Sequence, residues 1–372
     1  MTTIYCPEMI GLSAARLERA YRFLDEAVAA DRIPGGALLV ARGGQALAPH
    51  CCGRQFLERA DPPIRSDTIF LVASVTKPVV VSGAMLLVER GRLSLDDRAC
   101  DYVPEFGNRG KEHILMRHLM THTSGLPDML PENYDLRREH APLSEFVRRV
   151  CALELDFAPG TAMQYQSMGL AILGEIIARI AGRPLPAFLQ CEVFGPPGMS
   201  DTSLGYEPAK AGRIAQVRVE AAMRGTDWGW NTPYWWGLGA PWGGMFTTVG
   251  DMGRYMRAIL AGGALDGVRL FSPATVAAMT RDQTSAMAEI PEAARLQGSW
   301  GLGWRRATGW QWSAYFGDLL SPGAYGHGGA TGTAVWNDPA RGLTCVLFTT
   351  EPSATSGALL GRCSNLVAAA AL

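Results

Sequence analysis

The sequence contains very little lysine and has almost no net charge. Three of its 34 basic side chains are lysines (Lys77, Lys111 and Lys210), the others are arginines, and 35 acidic side chains balance them. A nucleic-acid-binding protein usually carries a basic excess or a basic stripe. A disordered chain has fewer apolar residues than the 48% found here. Both classes are therefore excluded, and we expect no nucleic-acid partner.

Metal-binding, secretory and membrane-spanning patterns are also missing. The eight cysteines include no C-x-x-C pair and no metal-like spacing with histidine. No apolar run approaches the roughly 18 residues of a membrane span, and residues 1–8 lack the charged and apolar regions of a secretory signal. We therefore expect no metal or cofactor, no membrane span and a cytoplasmic location with reduced thiols. The oligomeric state stays open, a homo-oligomer included.

Hydrophobic periodicity predicts strands near both ends of the chain and helices in the middle. An amphipathic helix with Ser13 as its N-cap is predicted over residues 13–31, and a β-hairpin within residues 37–52. Later strands are predicted near residues 301–305, 325–336 and 343–350, before a final helix over residues 359–372. Helical periodicity dominates between them, at residues 79–90, 113–121, 143–153 and 168–182.

This order of elements predicts an α/β (α+β) fold. One antiparallel sheet is built from the N- and C-terminal segments and is flanked by helices, with a mainly helical region inserted between them. We expect residues 1–73 and 300–372 to form the sheet region and residues 74–299 to form the helical region, which includes a tryptophan-rich loop. The active site is expected at the interface of the two regions.

A serine and a lysine lie three residues apart in an apolar segment. Ser74 and Lys77 leave the same face of a predicted helix, because three residues make nearly one turn. The valines around Lys77 predict poor hydration, which lowers the pKa of a lysine and makes it a usable base for the hydroxyl. The helix N-terminus adds N–H groups that stabilise developing negative charge. Alone the motif is weak, since S-x-x-K also arises by chance.

Tyr165 follows a Pro-Gly turn and precedes a predicted helix whose N-cap is Ser167. A tyrosine at such a junction can point into a cleft, and a cationic lysine beside it makes its phenolate form more accessible. It would then deprotonate the serine or protonate a leaving group. The alternative is an ordinary half-buried tyrosine.

A glycine-rich strand is predicted late in the chain, around His327, Gly328 and Gly329. Glycines allow another backbone or a ligand to approach closely, and an edge N–H there can stabilise an oxyanion. His327 is a candidate for binding or proton transfer. The alternative is a tightly packed strand whose histidine is structural.

Together, the three elements resemble the serine β-lactamase and penicillin-binding-protein superfamily, most closely its class C-like branch with the family VIII carboxylesterases. The superfamily's S-x-x-K, Y-x-N and K-T-G motifs correspond to Ser74-Val-Thr-Lys77, Tyr165-Gln-Ser167 and His327-Gly-Gly329. Residues 114–126 resemble the L-L-x-H-T-S-G-L segment of the branch, and residues 242–252 resemble its G-G-x-x-S/T-x-x-D-L segment. The likeness spans about residues 10 to 350.

The resemblance implies a β-lactamase/transpeptidase-like fold and a role for each site residue. Ser74 would be the acylated nucleophile, Lys77 its activating partner and Tyr165 the general base and acid. The backbone N–H groups of Ser74 and Ala330 would form the oxyanion hole. The reaction would be a two-step acyl transfer that needs no cofactor.

Two departures from the motifs favour a carboxylic ester over a β-lactam or a peptide. Ser167 replaces the asparagine of Y-x-N, which contacts the amide side chain of β-lactam substrates. His327 replaces the lysine of K-T-G and removes a permanent cation for the substrate carboxylate. Trp242, in a Trp-Gly-Gly sequence often found in the esterase-like members, points the same way.

Two other features remain open. Five tryptophans, Trp235, Trp236 and Trp242 among them, lie within residues 228–242, which we interpret as a long ordered loop that walls an apolar acyl or alcohol pocket or packs structurally. His118 and His122 have a spacing that suits zinc on a helix, but no carboxylate partner is obvious, so structural roles are favoured.

The leading interpretation is a serine carboxylesterase that acts on a small-molecule ester. The alternatives are a β-lactamase or D-amino-peptidase, an acyltransferase that uses an acceptor alcohol, and a non-catalytic binder of an acyl ligand. Retention of Ser74, Lys77 and Tyr165 argues against the binder.

Overall fold

A seven-stranded antiparallel sheet forms the centre of the computed structural model, which describes residues 5–58, 60–308 and 313–372. The strands of this sheet are β1 (Gly35–Arg42), β2 (Gln45–Ala46), β3 (His50–Gly53), β9 (Arg305–Arg306), β10 (Tyr325–Gly329), β11 (Thr333–Asp338) and β12 (Leu343–Thr349). Their order in the sheet is β2-β1-β12-β11-β10-β9, with β3 also paired to β1. The first and last strands of the chain therefore meet in one sheet, as predicted.

Two small sheets accompany it. Their strands are β4 (Phe70–Leu71), β5 (Ser203–Leu204) and β6 (Met245–Thr247), which pair in the order β4-β6-β5, and the hairpin β7 (Ala264–Leu265) with β8 (Val268–Arg269). The strand β4 leads directly into the turn that carries Ser74. The small three-stranded sheet thus positions the start of the helix that follows.

The α-helices lie on both faces of the large sheet and fill the middle of the chain. They are α1 (Ala14–Ala29), α2 (Thr76–Glu89), α3 (Met116–Met120), α4 (Asn133–Arg138), α5 (Leu143–Ala152), α6 (Met168–Ala181), α7 (Leu185–Leu189), α8 (Pro233–Leu238), α9 (Val249–Leu260), α10 (Pro273–Thr280), α11 (Glu292–Gln297), α12 (Ser313–Phe316) and α13 (Ser353–Ala368). Within the described ranges, none of these helices is both long and apolar enough to cross a bilayer.

Both faces of the sheet are buried, so its central strands are buried along nearly their whole length and are rich in apolar residues. Side chains of β1 alternate between two clusters: Leu38 and Val40 pack with α1 and α13, whereas Leu39 faces the larger cluster that includes α2, α6 and α9. This larger cluster continues from the sheet into the helical segments. The division of the chain after residues 73 and 299 stays a prediction.

Most sequence-predicted elements are present, with shifted ends. Ser13 caps α1, because its side chain accepts a hydrogen bond from the Arg16 N–H. The strand predicted over residues 301–305 shortens to Arg305–Arg306, since Gly303 has a φ of +75° and turns the chain. The segment 325–336 is a hairpin of two strands, and the final helix begins at Ser353 rather than at residue 359.

We had expected the tryptophan-rich segment to be a loop throughout, but part of it is helical. Residues 233–238 form the helix α8, which is capped by Thr232 and Gly239. The Thr232 side chain accepts a hydrogen bond from the Trp235 N–H, and Pro233 occupies the first helical position, where a missing N–H costs nothing. Gly239 closes the helix with a φ of +59°. These start and stop signals in the sequence outweigh the poor helix propensity of the aromatic residues between them.

The strand β10 approaches the turn before Ser74 so closely that only glycine fits at one position. A Cβ atom added at Gly329 would overlap the Val72 carbonyl oxygen and the Thr333 hydroxyl. The same Val72 oxygen accepts a hydrogen bond from the Thr333 hydroxyl at 3.0 Å. Gly329 therefore sets the distance between β10 and the segment that carries the serine.

We expect the substitution Gly329→Ala to destabilise the protein by about 2–3 kcal/mol, because the backbone must shift to accommodate the added methyl group. Urea denaturation measures the free energy of unfolding. Gly323→Ala is the matched control, since Gly323 is exposed and has nothing within 4 Å of an added Cβ. Equal stabilities of the two variants would contradict this account of the close approach.

Candidate active site

A cavity of about 390 Å³ opens where the start of α2 meets the end of β10. Ser74, Tyr165 and His327 all line it, although they are far apart in the sequence. The turn before α2 is held from two sides: the Val72 N–H donates to the Met245 oxygen of β6, and the Thr333 hydroxyl of β11 donates to the Val72 oxygen. Both sheets therefore fix the position of the serine.

Ser74 lies in a short 3₁₀ turn, Ala73–Val75, that continues directly into α2. Ala73, just before it, has a φ of +44°, a left-handed conformation that non-glycine residues rarely adopt and that often marks functional sites. Lys77 follows one helical turn later, and its Nζ donates hydrogen bonds to Ser74 Oγ at 3.0 Å and to the Trp242 carbonyl oxygen at 3.1 Å. The predicted contact between serine and lysine is present.

Lys77 is almost completely buried, with 1% of its surface exposed. Burial lowers its pKa to about 7, and the negative charge of Asp128 acts in the opposite direction. Near neutral pH a substantial fraction of this lysine is uncharged. It can then accept a proton from the serine hydroxyl 3.0 Å away.

Tyr165 lies against the same lysine, with Lys77 Nζ 4.6 Å from the centre of its ring. We had expected the lysine charge to make the phenolate more accessible. Instead, burial raises the pKa of Tyr165 above its usual value, although a hydrogen bond with Ser74 opposes this shift. Desolvation of the phenolate outweighs the favourable contacts. Tyr165 is therefore a phenol near neutral pH, suited to donate a proton.

His122 positions the segment of Tyr165, a role that the sequence did not reveal. Its Nδ1 accepts a hydrogen bond from the Gln166 N–H at 3.1 Å, and its ring lies 4.7 Å from that of Tyr165 and 4.2 Å from that of Trp300. The Nδ1 of His118 accepts from the Leu115 N–H at 3.2 Å. Each histidine thus has a structural contact, in line with the interpretation preferred over a zinc pair.

Ser167 occupies the N-cap position of α6, as predicted, but its side chain does not cap the helix. Its hydroxyl instead donates to Asp128 Oδ1 at 2.6 Å, and both residues line the cavity. Asp128 was not found by sequence reasoning, because no local pattern links it to a serine 39 residues away. Its negative charge partly opposes the lowering of the Lys77 pKa by burial.

His327 lies on β10 with 3% of its surface exposed. Its Nδ1 lies 2.7 Å from the Gly328 carbonyl oxygen, so Nδ1 carries the proton and Nε2 is an acceptor. Nε2 has no hydrogen-bond partner among the described residues. Burial, and then the charge of Lys77, lower the pKa of His327 to about 3. His327 is therefore neutral and does not replace the cation of the K-T-G motif.

The end of β10 contributes Gly328 and Ala330 to the cavity. Gly329, between them, is turned toward Val72 and is not part of the cavity wall, so its contribution is the close approach described above.

The tryptophan-rich segment borders the cavity through three of its residues, Trp230, Trp235 and Trp242. Trp236 is not part of this wall, contrary to our expectation of a binding role. Its ring packs against Tyr206 and Phe246, and its Nε1 donates to the Trp230 oxygen at 2.7 Å. On the helix α8, Trp235 and its neighbour Trp236 leave on different faces.

Two arginines that sequence reasoning missed also line the cavity. Arg305 lies on β9, and its guanidinium carbon is 5.6 Å from the centre of the Trp300 ring. Arg137 lies on α4 among aromatic rings. No short motif marks either residue, because each reaches the cavity through the packing of its own element. They supply the positive charge that the neutral His327 lacks.

One cluster of metal-ligating side chains occurs in the part of the chain that the structure describes. It consists of Asp25, His50 and Cys52, whose ligand atoms lie within 4.8 Å of one another. Burial raises the pKa of the Cys52 thiol to about 12, and the thiol lies 3.6 Å from the Gly36 carbonyl oxygen as a donor. A protonated thiol is a poor ligand, and none of the three residues lines the cavity beside Ser74.

Comparisons with known proteins identify relatives of this chain. The chain matches the beta-lactamase family over residues 21–362. It is 34% identical to the esterase EstB of Burkholderia gladioli over 381 residues, which cover 90% of each protein.

Two solved structures share the fold. EstCE1, described as a hydrolase with promiscuous acyltransferase activity, superimposes with a TM-score of 0.78 at 22% identity, over 96% of this chain and 98% of that one. A family VIII carboxylesterase superimposes with a TM-score of 0.75 at 21% identity, over 97% and 99% of the two chains. The chain therefore belongs to the beta-lactamase family and is a hydrolase of the serine β-lactamase superfamily.

Proposed function

We propose that the protein cleaves carboxylic esters through an acyl-enzyme formed on Ser74. The observation that carries this proposal is the 3.0 Å hydrogen bond between Lys77 Nζ and Ser74 Oγ, made by a lysine whose burial lowers its pKa to about 7. A serine hydroxyl is a weak nucleophile unless a base removes its proton. Here the base and the nucleophile are already in contact.

In the proposed acylation step, the Ser74 proton moves to neutral Lys77 while Oγ attacks the ester carbonyl carbon. The backbone N–H groups of Ser74 and Ala330 stabilise the oxyanion that forms. The ester C–O bond then breaks, and Tyr165 gives its proton to the departing alcohol oxygen. The proton held by Lys77 moves to the Tyr165 phenolate and restores the phenol. Hydrolysis by water reverses these transfers and frees Ser74.

An ester substrate is favoured by the polar groups around the nucleophile. His327 is neutral, so the position of the K-T-G lysine offers no positive charge to the carboxylate of a β-lactam or peptide substrate. The Ser167 hydroxyl donates to Asp128, so this position lacks the free amide group that the asparagine of Y-x-N would offer to a substrate. The 34% sequence identity with the esterase EstB also supports an ester substrate.

Hydrolysis of a β-lactam is the second candidate, and one observation favours it. Arg305 lines the cavity together with Ser74 and His327 and provides a cation within the same site.

We expect Ser74→Ala to lower kcat/KM for p-nitrophenyl butyrate by at least about 1,000-fold, since the acyl-enzyme can no longer form. Ser82→Ala is the matched control, because Ser82 is a buried serine of α2 whose hydroxyl donates to the Val79 oxygen. Ester cleavage that survives in Ser74→Ala would overturn the assignment of Ser74 as the nucleophile. Efficient turnover of a chromogenic cephalosporin by the wild type, with negligible ester cleavage, would establish the second candidate instead.

The pH dependence of acylation should follow Lys77. We expect kcat/KM to rise as pH increases through about 7, because only the neutral amine accepts the serine proton. Asp128→Asn removes the charge that raises this pKa, so the rising limb should move to lower pH by roughly 0.5–1 unit. Asp135→Asn, at an exposed carboxylate outside the cavity wall, is the control. An unmoved limb in Asp128→Asn would exclude Lys77 as the titrating base.

The cavity wall should set the preferred acyl chain length. We expect Trp235→Phe to change the relative kcat/KM values across p-nitrophenyl esters from acetate to octanoate, because Trp235 lines the cavity. Trp236→Phe makes the same change one residue away, where the indole packs against Tyr206 instead, and should leave the profile as it is. Identical profiles in both variants and the wild type would remove Trp235 from the pocket.

A further inference from the structure

Arg137 is a buried cation in the wall of the cavity that holds Ser74. It lies on α4 with 5% of its surface exposed. Its guanidinium carbon is 4.3 Å from the centre of the Trp235 ring and 5.1 Å from that of Trp228. Such contacts offset part of the cost of burying a guanidinium, but they do not neutralise its charge.

Arg137 has no carboxylate partner among the residues that the structure describes. Its Nη2 lies 3.3 Å from the Trp228 carbonyl oxygen and 3.9 Å from the Met223 sulfur, and its Nε has no hydrogen-bond partner there. Burial lowers its pKa to about 10, so it is still a cation near neutral pH. An unpaired buried charge is costly, and its retention therefore calls for a partner.

Two neighbouring side chains of the same wall also have unused polar atoms. Trp235 Nε1 and Asn133 Oδ1 are buried without hydrogen-bond partners in the described ranges, and both residues line the cavity with Arg137. An indole N–H is a donor only, and the Asn133 amide offers a donor when it is rotated by half a turn. Trp235 thus adds one donor beside the positive charge of Arg137, and Asn133 adds a second polar side chain with an unused atom.

We propose that Arg137 forms an anion subsite that receives a carboxylate of the substrate, remote from the ester bond that is cleaved. This inference rests on the proposed function, and it narrows the substrate to esters that carry a free acid. A planar guanidinium fork matches the two oxygens of a carboxylate. One buried unit charge balances one carboxylate, whereas a phosphate dianion would leave a net negative charge in an apolar site.

The other charged side chains of the cavity wall, those of Asp128 and Arg305, have their partners near the catalytic residues. Asp128 is bonded to Ser167 and acts on Lys77. Arg305 contacts Trp300, and its charge acts on Tyr165 and His327 at the catalytic end. Arg137 lies instead with Trp228 and Trp235. A substrate acid held there would orient the ester toward Ser74.

The test compares matched esters with and without a free acid. One set has the acid in the acyl part: p-nitrophenyl monoesters of glutaric, adipic and suberic acids, each against its methyl-capped diester. The other set has it in the alcohol part: acetate esters of ω-hydroxy acids, each against its methyl ester. The measured quantity is the ratio of kcat/KM for the acid to kcat/KM for the neutral partner, which cancels general losses of activity.

We expect this ratio to be at least about 10 in the wild type for one chain length in one set, because a buried charge pair contributes strongly. Arg137→Met should lower the ratio to near one, and Arg137→Lys should keep part of it. Arg138→Gln is the matched control, since Arg138 is the exposed neighbour that pairs with Asp135 at 2.7 Å. Its ratio should equal that of the wild type.

Several outcomes would overturn the subsite. One is a wild type that shows no preference for the acid in either set. Another is an Arg137→Met variant with a lower melting temperature but an unchanged ratio, which would indicate a purely structural stack on Trp235. Loss of the preference in Arg305→Gln but not in Arg137→Met would assign it to the other arginine. If Arg137→Met does not fold, the wild-type ratio and Arg137→Lys still decide. Absence of turnover for the neutral esters as well would instead refute the proposed ester hydrolysis.

Discussion

The hydrogen bond between Lys77 and Ser74 depends on the removal of the lysine from water. An exposed lysine has a pKa near 10.4 and is a cation that cannot accept a proton. At Lys77 the helix α2 is buried almost along its whole length, and the Trp242 carbonyl oxygen accepts the remaining hydrogen bond that the structure gives to Nζ. The two sheets, α2 and the Trp-Gly-Gly segment are therefore all needed to create one neutral amine beside one hydroxyl.

Scarcity of lysine drew attention to this residue, but scarcity alone does not mark a catalytic base. Lys111 is equally buried, and burial also lowers its pKa. Its Nζ donates to the Leu153 oxygen and to Asn108 Oδ1 at 2.9 Å, so it serves as a structural donor. What distinguishes Lys77 is a hydroxyl one helical turn before it, at the mouth of a cavity. Arginine could not take its place, because a guanidinium does not lose its proton near neutral pH.

Local patterns predicted much of the fold and of the catalytic end of the site, for a physical reason. Ser74 and Lys77 are linked by one turn of a helix, and the strands β1 and β12 show their burial directly in their apolar composition. Partners fixed by tertiary packing were missed: Asp128 beside Ser167, His122 beside Tyr165, and both arginines. Their positions depend on how separate elements meet, and no spacing in the sequence encodes that. The helix α8 was missed for another reason, since capping residues outweighed the propensities of the residues between them.

The distribution of charge in the cavity changes how the departure from K-T-G is understood. From the sequence, His327 removed the permanent cation of the K-T-G motif and was a candidate for binding or proton transfer. In the structure it is neutral, since burial and the nearby Lys77 both oppose its protonation. A second permanent cation close to Lys77 would lower the pKa of that lysine further and leave the hydroxyl without a well-matched base. A neutral residue on β10 avoids that effect, and the cations of the cavity wall lie on β9 and α4 instead. Under our proposal, recognition of a substrate acid belongs to the cation of α4, which contacts Trp228 and Trp235 rather than the residues around Ser74.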